Sequence, residues 1–386
     1  MRIGIDVRYL SHDLMGGVHS YVAFLVPALI KAAPEYEFFL YADTKAAFEL
    51  RDLPRNVCVR TLNYQNKLSS FYNDLFRLKK AMEADDVHIA HFPANYGFGP
   101  AKAATIITLH DHVNVMPLKN IMRGHRKNVS TLAMMSYLHF CSRFTVPRVD
   151  LVITMSDYSR TQILKHISID PDRLVIWTNG PSPDIHEVTD EAVLNDVRHR
   201  FELKKPFVIA DGIKNPGVLV EAWKHLSQEL RDKYQIVFFS RTPTPPQPVF
   251  EAVEAGFAKL FVRPSDQDLR TLYSLAYSLG FPSWYEGLGL PLLEAMICGT
   301  PVVASDRGSI PEVVGDAGLM CDIEDIPAFA RNLTKVLGNP DEHERLKLLG
   351  YQQAAKFTWD KTAKAYLELY ESVLQNEQPQ QAVSTH

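Results

Sequence analysis

Residues 285–300 read YEGLGLPLLEAMICGT. They follow LGFPS at 279–283, a short apolar run that ends a strand, and they open a helix. Gly287 and Gly289 have no Cβ, so the backbone there can approach a ligand closely. Pro291 suits a first helical position, where its missing N–H has no intrahelical partner. The free amides of about residues 288–292, Leu288 and Leu290 among them, then point at whatever lies before the helix, a ready site for a diphosphate. Glu286, in the loop, is placed to accept hydrogen bonds from sugar hydroxyls. Glu294 falls in the first helical turn and, taken alone, serves equally well as a complement to the helix dipole. Capping needs neither Glu286 nor both glycines. The stretch predicts a strand–loop–helix unit carrying a site for a phosphate-bearing sugar donor.

The same alternation runs outward in both directions. The first half holds the candidate strands MRIGIDV, EFFLYA, VCVRTL, VHIAHF, ATIITLHD, LVITMS and RLVIWTN, and the second half FVIAD, QIVFFS, KLFVR, LGFPS, PVVAS and GLMCD. Most are near-continuous apolar runs, as expected of strands covered on both faces. Helical patterns such as YVAFLVPALIKAA and PGVLVEAWKHLSQEL separate them. This predicts an α/β protein with two Rossmann-like parallel-sheet domains facing across a cleft. Turn-rich NGPSPDIHEVTDE, from Asn179, separates the halves, with the hinge at about 180–205. The expected domains are 1–190 and 191–359, with a polar, frayed tail over 377–386.

Composition excludes several classes. The chain has 386 residues, 46% hydrophobic and 22% charged, with a net charge of −4, so nothing global suggests nucleic-acid binding. Cys58, Cys141, Cys298 and Cys321 are far apart and read as reduced thiols of a cytosolic protein. MRIGIDV at the start reads as a strand rather than a signal peptide. STLAMMSYLHFCSRFTV is interrupted by His139 and Arg143 and is too short and polar for a membrane span.

Ligands of open parallel sheets sit at the carboxyl ends of the strands, and three further motifs fall there. MGGVHSYVAFLVPAL places Gly16 and Gly17 before a helical run, either a phosphate-facing turn or a plain βα turn. TLHDHV brings His110 and Asp111 to a strand end, where an imidazole can bond a sugar hydroxyl or simply be a satisfied core histidine. ADGIKNPGVLVEAW places Lys214 before a helix, to neutralise a diphosphate or to lie on the surface. His88, His91, His110 and His112 form no ordered metal motif, and turns or caps explain the pairs Asp170/Asp172 and Asp266/Asp268. No metal and no cofactor are expected. Lys119, Arg123, Arg126 and Lys127, beside an apolar helical stretch, give a basic amphipathic segment over 119–127. Its readings are a solvated face and peripheral contact with an anionic membrane at the inner face of the cell.

YEGLGLPLLEAMICGTPVVASDRGSIPEVVGDAG closely resembles the donor-site signature of family 4 glycosyltransferases, whose hallmark is two glutamates separated by seven residues. MRIGIDVRYL with the following glycine pair, LHDHV, ITMSDYSR, TNG, KNPGVLVEAW, DQDLRTLYSLA and FTWDKTAKAYLELY fall in the family's order. The resemblance implies the two-domain GT-B fold and a retaining, metal-independent hexosyltransferase. It implies that Glu286 contacts the donor sugar, Glu294 the ribose, and Gly287 to Leu290 the sugar and phosphates. It also puts Gly17 near the distal phosphate, His110 beside the reacting sugar and Lys214 against the diphosphate. A helix at about 360–376 is implied to return to the first domain. The opening MRIGIDVRYL is similar to mannosyltransferases, so GDP-mannose is the first donor expected, ahead of UDP-glucose and UDP-N-acetylglucosamine. The implied acceptor is a saccharide or a lipid-linked saccharide, and NYQNKLSSFYNDLF is a candidate to line its pocket.

One departure stands out. The family usually carries an arginine shortly before the lysine; here Asp211, Gly212 and Ile213 occupy that segment. Arg241 or Arg263 is expected to substitute. The departure leaves two other readings open: a non-catalytic GT-B partner, and a GT-B enzyme that processes the sugar nucleotide without transfer.

Overall fold

The computed structural model describes residues 1–11, 16–122 and 129–375. The chain forms two compact bodies. One comprises Met1–Gly180 with the chain from Thr358, and the other Pro181–Phe357.

The first body is built on seven strands: β1 (Arg2–Asp6), β2 (Glu37–Asp43), β3 (Val57–Leu62), β4 (Ile89–Phe92), β5 (Ala104–Thr108), β6 (Leu151–Thr154) and β7 (Leu174–Ile176). Their order is β3-β2-β1-β4-β5-β6-β7, and all pairs are parallel. The second body has β8 (Phe207–Asp211), β9 (Gln235–Ser240), β10 (Ala258–Val262), β11 (Ser278–Phe281), β12 (Val302–Ser305) and β13 (Gly318–Cys321). Their order is β10-β9-β8-β11-β12-β13, again all parallel. Central strands such as Phe207–Asp211 and Val302–Ser305 are buried along their whole length. That is why they read as unbroken apolar runs rather than alternating ones.

Strand order reverses once in each sheet, between β1 and β4 in the first body and between β8 and β11 in the second. There the loops leave toward opposite faces and open a crevice at the carboxyl edge. Lys214 follows β8 and Glu286 follows β11, so the two best-marked residues meet at the second body's switch point.

The cut between bodies falls at Gly180/Pro181, ten residues before the 190/191 boundary expected from turn composition. The segment after it is tied to the second body. Cys298 Sγ donates to the His186 carbonyl at 3.5 Å, and Glu187 accepts from Lys347 Nζ at 3.2 Å and Tyr351 Oη at 2.7 Å. The chain returns as the helix Trp359–Gln375, which belongs to the first body. It packs on the helix Gly17–Ala32, with Tyr21 Oη donating to Tyr366 Oη at 2.7 Å and Trp359 against Tyr21 and Phe24. The tail over 377–386 lies outside the described residues.

Candidate functional site

In the second body the loop after β11 is held from beneath by three serines. Ser305 Oγ, at the end of β12, donates to the Ser283 carbonyl at 2.6 Å. Ser309 Oγ donates to the Glu286 carbonyl at 3.0 Å, and Ser283 Oγ to Glu286 Oε1 at 2.7 Å. Gly308 has a φ of 63°, and a Cβ there would lie 3.1 Å from both the amide nitrogen and the carbonyl oxygen of Glu286. Glycine at 308 therefore lets the chain after β12 press against the Glu286 backbone. Ser305, Gly308 and Ser309 carry no local signal of their own, because each acts on a loop some 20 residues away in sequence.

Glu286 is 9% exposed, and Lys214 Nζ meets its Oε1 at 2.8 Å. Lys214 leaves β8 just before Asn215, whose left-handed φ of 54° starts the helix Pro216–Lys224. An ammonium has three donors, so two remain for other acceptors. Glu286 Oε2 accepts from no described group, which leaves it open to a hydroxyl.

Gly289, with a φ of 86°, caps the helix Leu290–Ile297, and Pro291 lies in its first turn. Among the described residues nothing accepts from the amides of Gly287, Leu288 or Gly289. Loop amides and the positive end of the helix thus stand unsatisfied beside Lys214, the arrangement expected for an anion.

Glu294 is half-buried on that helix, in its second turn and not the first as expected, because the helix begins at Leu290. Burial pushes its pKa up, and the Arg241 guanidinium and Tyr273 hydroxyl draw it back down. Asp211, at the end of β8, is likewise raised by burial and drawn down by the Ile213 amide, Lys214 and Arg241. Arg241, just after β9, is therefore within electrostatic reach of both carboxylates. Arg263 is exposed, and its Nε donates to the Arg241 carbonyl at 3.2 Å. Of the two arginines, Arg241 is the one set among the site's acids.

In the first body His110 follows β5. Its Nε2 meets the Pro93 carbonyl oxygen at 2.9 Å, which makes Nε2 the protonated nitrogen and leaves Nδ1 as an acceptor. Burial lowers its pKa to about 4, against the Pro93 bond, so the ring is neutral at physiological pH. Tyr21 packs edge-on against it at 4.7 Å. Asp111 holds the next turn through the Val113 amide at 2.8 Å, and burial raises its pKa. Gly16 caps the helix Gly17–Ala32 and Gly17 opens it, and among the described residues a Cβ at either would meet nothing within 4 Å. The described residues make no steric demand for glycine there.

The other histidines are dispersed. His88 Nδ1 accepts from the Arg2 amide, His91 lies between Thr108 and Tyr370, and His112 stacks on His166. Among the described residues no three His, Cys, Asp or Glu side chains converge as a metal site. Asp170 caps a turn through the Asp172 amide, and Asp268 pairs with Arg200. Of the basic run at 119–127, Lys119 sits in the short helix Leu118–Ile121, while Arg123, Arg126 and Lys127 lie outside the described residues. No described helix is long and apolar enough to cross a membrane.

Residues 15–184 match the model of Glycosyltransferase Family 4, and residues 208–339 that of Glycosyl transferases group 1. The chain belongs to glycosyltransferase family 4. This family 4 chain is 32% identical over 229 residues to O-antigen chain mannosyltransferase B of Escherichia coli, covering 57% of the chain and 60% of that protein. It is 27% identical over 242 residues to the serotype-specific mannosyltransferase WbdA of Escherichia coli, of which the match covers 30%. The chain thus spans about 60% or less of these mannosyltransferases. It is also 28% identical over 409 residues, 97% of the chain and the whole of the relative, to alpha-maltose-1-phosphate synthase of Mycolicibacterium smegmatis. Among solved structures, the glycosyltransferase WaaG aligns with a TM-score of 0.69 at 14% identity, over 95% of this chain and 99% of WaaG. Anabaena HepE in complex with UDP-glucose aligns at 0.67 and 13%, over 95% and 99%. The architecture is that of the GT-B glycosyltransferases.

Proposed function

We propose that this group 1 glycosyltransferase is a metal-independent, retaining hexosyltransferase. On this reading it moves mannose from GDP-mannose to a saccharide or lipid-linked acceptor at the cytoplasmic side of the membrane. The observation that carries the reading is the Lys214–Glu286 pair at the β8/β11 switch point, beside loop amides that have no partner among the described residues. The mannosyltransferase relatives support the choice of sugar.

The donor's diphosphate is assigned to the amides of Gly287 to Leu290, the remaining donors of Lys214, and Arg241. These take the charge that develops on the leaving phosphate, the work a metal ion does elsewhere. Glu286 Oε2 accepts from sugar hydroxyls and Glu294 from the ribose. Gly16 and Gly17 leave room for the distal phosphate, and neutral His110 offers Nδ1 to a sugar hydroxyl. In the transfer step the bond from the anomeric carbon to the phosphate oxygen breaks and the bond to the acceptor oxygen forms on the same face. The acceptor's proton passes to the departing phosphate oxygen, so no protein nucleophile is required. Peripheral membrane contact belongs to the same proposal, with Lys119 the described member of the 119–127 run.

A melt of the protein with GDP, UDP and their sugars, with and without EDTA, tests this. A ligand at 100 times its Kd adds about 2.7 kcal/mol to a folded state that alone binds it. Stabilisation by GDP, unchanged by EDTA, and mannose transfer from GDP-mannose are expected. No response to any nucleotide would refute the donor site and favour a non-catalytic partner. Donor turnover independent of any acceptor would favour sugar-nucleotide processing instead.

A further inference from the structure

The first body carries an apolar face that its own packing leaves uncovered. Nine of the fifteen exposed large apolar side chains among the described residues lie in the helix Lys67–Tyr72, the π-helical turn Asn73–Arg77 that continues it, and the helix Val129–Thr145. Leu68 is 80% exposed, Phe140 66% and Phe76 57%, too much for members of a core and too concentrated for scattered surface residues.

The face is a connected ladder of rings. Phe71 meets Tyr137 at 5.3 Å, Tyr137 meets Tyr96 at 5.6 Å, Tyr96 meets Phe98 at 6.3 Å, and Phe98 meets Phe144 at 6.4 Å. Arg148 closes one end, over Phe144 at 4.2 Å, and beside Phe71 a second ring pair, Tyr72 with Phe76 at 5.2 Å, has Arg77 over Tyr72 at 5.1 Å. At the Arg148 end lies an open groove of about 550 Å³, lined among others by Phe98, Lys102, Phe144 and Leu374. Asp150 also lines it, with one carboxylate oxygen taken by the Thr105 amide.

Apart from Asp150, the two segments that carry these rings are basic. Residues 67–82 contain Lys67, Arg77, Lys79 and Lys80, and their single acid, Asp74, is buried. Residues 129–148 contain no acid and two arginines, Arg148 over the Phe144 ring and Arg143, which is turned to the Val115 and His166 carbonyls. Asp74 points inward. It accepts from Arg8 Nη1 at 2.5 Å, Tyr96 Oη at 2.9 Å and Tyr137 Oη at 2.5 Å, while Asp6 holds the other side of Arg8. This buried network fastens the aromatic ladder to the carboxyl end of β1, so the rings are presented on a fixed support.

We infer that this face, Leu68–Phe76 with Phe140 and Phe144, docks the protein on an anionic lipid membrane. Aromatic rings suit the zone between headgroups and acyl chains, and the lysines and arginines meet the phosphates. The inference deepens the peripheral membrane contact of the proposed function and moves it from the 119–127 run to these residues. It also gives NYQNKLSSFYNDLF a surface to meet other than a closed acceptor pocket.

The test is co-sedimentation of the full chain, without nucleotide, with vesicles of phosphatidylcholine alone or with added phosphatidylglycerol. Binding to the anionic vesicles at low salt, and release as salt rises, are expected. Phe76→Ser combined with Phe140→Ser should weaken partitioning by about tenfold per ring lost. Lys67→Glu with Lys80→Glu should weaken it by about fivefold or more per cation. Leu348→Ser, an exposed leucine of the second body, should leave binding unchanged. Melts of each variant confirm folding, and nucleotide stabilisation should be unaffected, so failure of the donor reading leaves this result standing. Absence of binding to anionic vesicles at low salt overturns the inference, as does equal binding by the double serine variant. A dimer in light scattering that Phe76→Ser and Phe140→Ser dissolve, without vesicle binding, assigns the face to a second copy and overturns it too.

Discussion

Replacing Lys214 with methionine keeps the length of the side chain and removes its charge. Two effects follow, and the structure separates them. In the empty protein the pair with Glu286 is lost, but the Lys214 side chain is one-third exposed and solvent screens it. Ser283 still bonds Glu286 Oε1, so the stability cost should stay within about 1 kcal/mol. With a nucleoside diphosphate bound, the same change removes a charge-assisted contact to phosphate. Such contacts contribute about 1.5–3 kcal/mol, a loss of roughly 10- to 150-fold in affinity. Titration calorimetry with the nucleotide that stabilises the wild type, paired with a thermal melt, reads both quantities. Lys214→Met with a near-native melt and an affinity weakened within that range supports the assignment. An affinity within about twofold of wild type refutes it, because a lysine facing the diphosphate cannot be electrostatically silent. Glu286→Gln in the Lys214→Met background completes a double-mutant cycle, and a coupling energy near zero would mean that the 2.8 Å pair has no energetic content.

Arg241→Gln should weaken nucleotide binding by about tenfold or more, whereas Arg263→Gln should change it by less than about twofold; the reverse order in calorimetry would move the diphosphate contact to Arg263. Glu294→Gln should stabilise the empty protein at neutral pH and weaken nucleotide binding. Its folded pKa is raised by burial, so ionisation above the unfolded value costs stability that glutamine does not forfeit, and a destabilised variant in the pH 7 melt would contradict this. His91 and His110 have folded pKa values lowered to about 3 and about 4. Below their unfolded value near 6.5 the unfolded chain takes up protons that the folded chain refuses, so each should cost roughly 1.4 kcal/mol of stability per pH unit on the way down. Denaturation at graded pH should show this loss, and kcat should have no limb near 6.5 that His110→Asn abolishes.

Each of the thirteen strands among the described residues falls on a run that the sequence marks as β, from MRIGIDV to GLMCD, with β2, β10 and β11 each reaching one residue outside it, because a strand covered on both faces must be apolar throughout and stays visible without any partner. The loop YEGLGLPLLE was equally legible. Its glycines and proline act through their own backbone, and the turn at Gly289 is a local event. The cut between bodies was less so, since turn residues over 179–191 show where a chain can bend and not which side holds it; Cys298, Lys347 and Tyr351 decide that from more than a hundred residues away.

The sequence by itself determined the class of fold, the family and the identity of the charged residues, all of which rest on periodicity and short motifs. Tertiary structure alone decided what those residues meet. The reversal of strand order between β8 and β11 brings Lys214 to Glu286 across 72 positions, and the turn after β9 sets Arg241 among Asp211 and Glu294. The same holds for Ser305 and Ser309 beneath the Glu286 loop and for the aromatic ladder from Phe71 to Phe144. Such contacts depend on crossover paths and on which helix covers which strand, and no local preference of the chain encodes either.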